Sequence, residues 1–416
     1  MITARRAESE SGILAPTQRH DTAHAGVLRR VVGNTAISLV GQGVTWTSTL
    51  LLTMAYGRYL GDARFGELYF AITFVMLVGF PLEFGFNQQL TRDLAQAPER
   101  AARYLANTLA LKFMLWIVLY GALGALAWAL GYSAEERVLV AVCGVTLLST
   151  GLGGAFAAVH YARQRLLFPV VATIIEKGLA AAVGYLWLRF GAGPREMTFV
   201  LLAGSTAGML WQGSWALRGT GRGFALDGAL MRQLIRTSLP FLTYGVLGVI
   251  YYRLDTVLLS LLTNTTVVGW YGAGYRLFDT LVFLPNIIIL AIMYPVFSRL
   301  STTSHATLKL AVEKSLNFLL FCGIPIAAGM IAAAPNIIGF LYHRVEFTHT
   351  VPALQALAPG LVFLYANTAF NSVLMSTHRE KKIALMAGIA LVFNLALNLV
   401  LIPRIQHVGA AAATSL

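Results

Sequence analysis

Tyr104–Leu130 reads YLANTLALKFMLWIVLYGALGALAWAL: 27 residues with one charge, Lys112. About 20 apolar residues in a helix span the roughly 30 Å of bilayer hydrocarbon. This run is long enough to cross, and it carries a cation inside. A lipid-facing cation at the bilayer centre costs roughly 3 kcal/mol on insertion scales, so such residues face a bundle interior or a wet cavity. Working outward, comparable blocks lie near 34–56, 67–90, 137–160, 166–190, 196–217, 236–262, 268–297, 308–333, 353–377 and 381–402. A twelfth begins near Val408, and the nine residues from there to Leu416 are too short a stretch to cross.

Across the chain, 57% of residues are hydrophobic and 12% charged. Soluble domains are about 25% charged, so no soluble fold of this length hides so much apolar surface. The composition predicts an all-α, polytopic transmembrane bundle. Residues 1–33 carry Arg5, Arg6, Arg19, Arg29 and Arg30 without an apolar run, and read as a loosely held tail. The tail shows no cleavable signal pattern. Cys143 and Cys322 both fall in apolar spans and give neither a disulfide framework nor metal-ligand spacing.

Lys and Arg are retained on the cytoplasmic side of membrane proteins. With the N-terminus inside, twenty of the 31 cations fall in six cytoplasmic segments and seven on the far side. The remaining four are Lys112, Lys177, Arg253 and Arg276, inside the spans. Topology and contact with anionic lipid heads account for much of the net charge of +13. Scattered over short loops, the basic residues do not form a nucleic-acid-binding face.

A glycine-rich basic linker, about 218–235, separates two similar halves: 34–217 with six spans, and 236–416 with five spans and the start of another. Phe65-Gly66-Glu67 opens the second span and Pro81 follows; Val268-Gly269-Trp270 opens the eighth and Pro285 follows. Parallel repeats of six spans are the pattern of transporters with an axis along the membrane normal.

Several runs carry a family resemblance. They are Arg58-Tyr59-Leu60-Gly61-Asp62-Ala63-Arg64-Phe65-Gly66-Glu67-Leu68-Tyr69; Glu83-Phe84-Gly85-Phe86 with Thr91-Arg92; Leu239-Pro240 with Arg253-Leu254-Asp255; Pro335-Asn336 through Tyr342; and Asn394, Asn398, Pro403 with Gly409-Ala410-Ala411-Ala412. Over roughly residues 34–416 the chain resembles bacterial polysaccharide and O-antigen flippases of the multidrug/oligosaccharidyl-lipid/polysaccharide exporter superfamily. The resemblance implies a V-shaped pair of six-span lobes around a central cavity, in the bacterial inner membrane. It implies a polyprenyl-pyrophosphate-linked oligosaccharide as substrate, membrane lipids as surroundings, and a polysaccharide polymerase and glycosyltransferases as partners. No covalent chemistry, cofactor or metal is expected.

A pyrophosphate head calls for cations along its route, and arginine grips phosphate in a bidentate manner. Arg253, Lys177, Arg276 and Lys112 are the candidate substrate contacts. Arg253 either faces the lumen or pairs with another span. Arg276 and Asp279, three apart on one helix, favour a structural clamp. Glu176 and Lys177 diverge by about 100° on a helix, which calls for a partner elsewhere. Lys112 either lines the lumen or snorkels. Asp255, Glu83, Asp279 and Glu176 are candidate coupling or ion-pair acids. The tryptophans Trp46, Trp116, Trp187, Trp211 and Trp215 read as interface anchors and packing. A cation-coupled drug exporter of the same superfamily is disfavoured because 34–56 holds no Asp or Glu. A peptidoglycan-precursor flippase shares the basic cavity and stays open.

Overall fold

The computed structural model describes residues 16–83, 85–220, 225–288, 293–377 and 379–416. Residues 1–15 of the tail, Phe84 of the second-span motif and 221–224 of the linker lie outside them. The described chain is helical throughout, as the composition requires. Its long helices are α1 (Pro16–Leu60), α2 (Asp62–Gly79), α3 (Phe86–Gln96), α4 (Ala101–Ala129), α5 (Ala134–Ala162), α6 (Leu167–Arg189) and α7 (Pro194–Thr220). They continue with α8 (Gly228–Leu262), α9 (Thr265–Ile288), α10 (Tyr294–Thr303), α11 (His305–Tyr342), α12 (Thr350–Ser376) and α13 (Glu380–Ser415).

Among the described residues seven helical stretches are long and apolar enough to cross a bilayer: Asp62–Leu82, Pro98–Ala129, Ala134–Ala162, Leu167–Arg189, His305–Tyr342, Val345–Ser376 and Lys382–Ser415. The sequence reading places spans on α1, α7, α8 and α9 as well. These helices have 45, 27, 35 and 24 residues. At 1.5 Å per residue each is long enough, but their Gly, Ser, Thr and charged residues dilute the apolar signal. Helix α1 also reaches back to Pro16, further than the expected start at 34. Proline suits the first turn of a helix, and the residues after it include good helix formers and no second proline.

Among the described residues the expected span 67–90 is broken. Helix α2 ends at Gly79, a short turn of 3₁₀ helix covers Phe80–Leu82, and α3 starts at Phe86. Pro81 lacks the N–H that would continue the ladder. Gly85, with φ of 73°, then takes a left-handed turn that residues with a Cβ avoid. Within α13, Ile405 and Gln406 leave helical geometry, with φ of −130° and 49°. The chain doubles back there, so that Asn394 Nδ2 donates to the carbonyl of Ala413 at 2.9 Å. This fold-back begins where the sequence reading starts a twelfth segment.

Helices α1 and α4–α7 pack among themselves, as do α8, α9 and α11–α13; α2 against α9 is the main seam between the two groups. The end of the bundle where α1 finishes is called distal here, and the other end proximal. Near the distal end α2 and α9 cross at Gly66 and Gly269, the two glycines of the sequence repeat. A Cβ on Gly66 would lie 1.8 Å from the carbonyl oxygen of Thr265, and one on Gly269 would lie 2.1 Å from that of Asp62. Each glycine thus faces the carbonyl four residues before the other, a reciprocal contact with two-fold character. Close backbone approach at small residues is how helices associate where no hydrophobic force separates protein from lipid.

Further distal bonds join the halves. Arg58 donates from Nε to the carbonyl of Leu341 at 2.8 Å and from Nη2 to that of Phe340 at 2.9 Å. Arg344 Nε returns a bond to the carbonyl of Arg58 at 2.8 Å. Trp270 Nε1 donates to Asp62 Oδ2 at 2.9 Å. At the proximal end the start of α8 is held against the first half. Asn107, fully buried, accepts from Asp227 N at 2.7 Å and donates to the carbonyl of Ala225 at 2.8 Å. Arg103 pairs with Asp227, which also caps α8 by accepting from the N–H groups of Ala229 and Leu230.

Candidate functional site

A cavity of about 540 Å³ opens between α1, α2, α5, α6 and α7 on one side and Val249 and Arg276 on the other. Most of its wall is apolar or hydroxylic: Leu52, Ile72 and Val75 beside Ser48, Thr49 and Thr150. Four charged side chains reach it, namely Glu83, Glu176, Lys177 and Arg276. The sequence reading nominates all four.

Their pairing decides which charge is left over. Lys177 Nζ lies 2.7 Å from Glu176 Oε1. The expectation that these neighbours need separate partners is therefore corrected: the four-methylene stem of lysine spans the 100° between them. Glu83 Oε2 accepts from Asn87 Nδ2 at 2.7 Å and lies 4.0 Å from Lys112 Nζ. Lys112 is wholly buried and donates to the carbonyl of Gly151 at 2.8 Å. It neither snorkels nor lines the cavity; it ties α4 to α5 behind Glu83.

Arg276 has no ion-pair partner among the described residues. Its guanidinium carbon stands 5.5 Å from the centre of the Tyr69 ring, within cation–π range. The ring is held there by Gly272, one turn before Arg276, where a Cβ would come within 2.5 Å of Tyr69 Cδ1. The expected Arg276–Asp279 clamp is not formed. Asp279 instead accepts from Arg253 Nη2 at 3.1 Å, joining α9 to α8, and Arg253 also covers the ring of Tyr275 at 5.5 Å. Arg253 is thus in the interhelical ion pair that was its alternative reading, away from the cavity wall.

Asp255 is buried, 1% exposed, with no cationic partner among the described residues. It accepts from Thr256 N at 2.6 Å and Thr414 Oγ1 at 3.0 Å, and from the hydroxyl of Tyr271. Thr414 comes from the fold-back segment after Gln406, next to Ala413, which Asn394 holds. Asn398 Nδ2 donates to Asn394 Oδ1 at 3.0 Å, while its own Oδ1 is buried without a partner among the described residues. A carboxylate and an amide oxygen are therefore buried at the α8–α13 seam. Tyr69, Tyr271 and Thr414 were not among the sequence candidates. Tyr69 closes the Arg58–Tyr69 run but has no role assigned there; hydroxyls and aromatic rings are common in membrane spans, and nothing local marks Thr414.

A charged cavity inside a bundle of long apolar helices, with a repeat-related helix pair across the seam, defines a polytopic membrane protein. The sequence profile of the family "Polysaccharide biosynthesis protein" matches residues 31–301, and the chain belongs to that family. The profile "Lipid II flippase MurJ" matches residues 220–416. The chain is 21% identical over 365 residues to the probable low-salt glycan biosynthesis flippase Agl15 of Haloferax volcanii, covering 87% of this chain and 75% of that protein. It is 28% identical over 196 residues to the uncharacterized membrane protein MJ1068 of Methanocaldococcus jannaschii, covering 44% of this chain and 37% of the other. Among solved structures, the lipid II flippase MurJ in an inward closed conformation superposes with a TM-score of 0.78 at 16% identity, over 92% of this chain and 84% of that one. An inward-facing multidrug resistance MATE transporter of the MOP superfamily gives 0.70 at 14%, over 91% and 93%. At these identities the superpositions establish the fold.

Proposed function

We propose that the chain is a flippase that carries a polyprenyl-pyrophosphate-linked oligosaccharide from the cytoplasmic to the outer leaflet for surface glycan assembly. The proximal end is cytoplasmic, as the distribution of Lys and Arg favours. Two lobes, 34–217 and 236–416, rock about their seam to expose the cavity to each leaflet in turn. The reading rests chiefly on one observation: Arg276 presents to the cavity a guanidinium that joins no ion pair among the described residues. Such a group binds phosphate oxygens in a bidentate manner and stays charged throughout. Lys177 supplies a second cation once its contact with Glu176 is exchanged for substrate. The acid-free stretch 34–56 disfavours a cavity for drug cations.

A peptidoglycan-precursor lipid is the second reading, favoured by the profile match over 220–416. It would use the same Arg276. Asp255 is the coupling acid in either case: a buried carboxylate held by hydroxyls and an N–H group, and by no cation, is poised to exchange a proton or a small cation.

Purified protein in liposomes carrying a fluorescent polyprenyl-pyrophosphate oligosaccharide provides the test. Arg276→Gln should reduce the flipping rate by about tenfold or more, as loss of a charge-assisted bidentate contact does, with unchanged incorporation into the bilayer. A wild-type rate in that variant removes Arg276 from the route. Absence of flipping by the wild-type protein, together with flipping of a peptidoglycan precursor, selects the second reading.

A further inference from the structure

Three arginines outside the cavity gather at the proximal end. Arg163 and Arg165 flank the turn between α5 and α6, and Arg218 lies in the last turn of α7. The turn is tightly built. Gln164 sits at φ of 55°, a left-handed conformation uncommon for a residue with a side chain. Arg165 N donates to the carbonyl of His160 at 2.9 Å, and Asn34 Nδ2 of α1 donates to that of Gln164 at 3.3 Å. Arg163 Nη2 donates to the carbonyl of Gly219 at 2.8 Å, which joins the turn to the end of α7. Arg218 lies 5.2 Å over the ring of Trp215, Trp215 packs at 5.4 Å on Phe168, and Phe168 stacks at 4.7 Å on His160. The Arg218 guanidinium therefore stands on an aromatic base.

The segments that carry them hold no carboxylate. Neither 162–175 nor 197–226 contains Asp or Glu. None of the three arginines joins an ion pair among the described residues. A guanidinium has five N–H donors, and Arg163 to Gly219 is the one hydrogen bond from these three side chains to protein among the described residues. Burial, and then the charge of Arg165, hold the pKa of Arg163 below its ordinary value. Helix C-termini favour cations, which explains why an arginine ends α5 or α7. It does not explain three of them converging with donors unspent. Beside them Tyr161, Leu167 and Leu217 are apolar and exposed, 47%, 54% and 42%.

We propose that Arg163, Arg165 and Arg218 form a binding site for the phosphodiester head group of an anionic phospholipid, whose acyl chains lie along Tyr161, Leu167 and Leu217. Basic pockets between membrane helices are suited to such head groups, and each cation near an anionic surface contributes about a fivefold gain in affinity. The site is independent of the cavity and of the substrate assigned to it.

Native mass spectrometry of the full chain, with phosphatidylglycerol and phosphatidylcholine added separately, tests the site. Phosphatidylglycerol should remain bound where phosphatidylcholine is lost. Arg165→Gln with Arg218→Gln should weaken its retention by about 25-fold, and adding Arg163→Gln by about a hundredfold. The double variant keeps the bond from Arg163 to Gly219 and decides the matter if the triple variant fails to fold. Lys309→Gln with Lys314→Gln, on exposed positions of α11, should leave retention unchanged. Equal loss in that control assigns binding to general surface charge and overturns the site, as does unaltered retention in the double variant. Equal displacement by inorganic phosphate assigns the arginines to a soluble anion and overturns the lipid.

Discussion

Arg253 Nη2 and Asp279 Oδ2 stand 3.1 Å apart and join α8 to α9, leaving Arg276 unpaired at the cavity. The two arginines are therefore expected to fail differently. Arg253→Ala strands a mostly buried carboxylate, and removing one partner of a buried pair destabilises by about 3–5 kcal/mol. Partial exposure of both groups, 18% and 30%, lowers that to about 1–3 kcal/mol. Detergent-solubilised Arg253→Ala should melt at a lower temperature than wild type, and the further change Asp279→Ala should restore part of the loss. A melting temperature unchanged by Arg253→Ala removes the clamp.

Asp255→Asn keeps the shape of the Tyr271–Thr414 site and removes its charge. Flipping driven by an imposed sodium or proton gradient should lose its gradient dependence, while melting temperature shifts little. Retained dependence in this variant places coupling elsewhere.

The crossing at Gly66 and Gly269 leaves no room for a methyl group. Gly66→Ala and Gly269→Ala should each force α2 from α9 and expose the distal end. Cysteines placed at Asp62 and Thr265 should then react faster with a membrane-impermeant maleimide than in a glycine background. Equal labelling would mean the contact is not tight in the membrane.

Asp227 predicts a pH effect at the proximal end. Its bond from Arg103, and then those from the N–H groups of Leu230 and Ala229, hold its carboxyl below the usual carboxylate range. A depressed folded pKa contributes stability above the unfolded value, and that contribution fades as pH falls through the folded one. Hydrogen exchange of the first turns of α8 should therefore rise on acidification below the ordinary carboxylate range. Asp227→Asn should show the faster exchange already at neutral pH, with less response to acid.

Much of the fold is legible from apolar block length, because hydrocarbon thickness leaves helices little freedom. The breaks after Gly79 and at Ile405–Gln406 lie next to Pro81 and Pro403, and the paired glycines are visible as a repeat. That they touch is not, since periodicity says nothing of which helix faces which. The cavity charges are nameable for the same reason: a charge in an apolar block is conspicuous. Their pairing is not. Asp279 lies three residues from Arg276 and 26 from Arg253, and helical spacing favours the nearer. The packing of α8 on α9 and the ring of Tyr69 under Arg276 reverse that choice, and both are tertiary. Hydroxyl partners such as Thr414 carry no charge and stay hidden in the sequence.

In the proposed rocking of the lobes the glycine crossing would serve as a fulcrum. Gly66 lies one turn inside α2, and from it to Gly79 the helix runs for about 20 Å. A tilt of about 10° at the crossing swings the far end of α2 by about 3.5 Å, using that helix length. The backbones hardly part where they touch. Because the contact is reciprocal, α9 has the same leverage, and opposed tilts add. A displacement of under an ångström at Gly66 and Gly269 would thus correspond to several ångströms where Glu83 lies, on the proposed reading the scale on which a hydrated head group is admitted or refused.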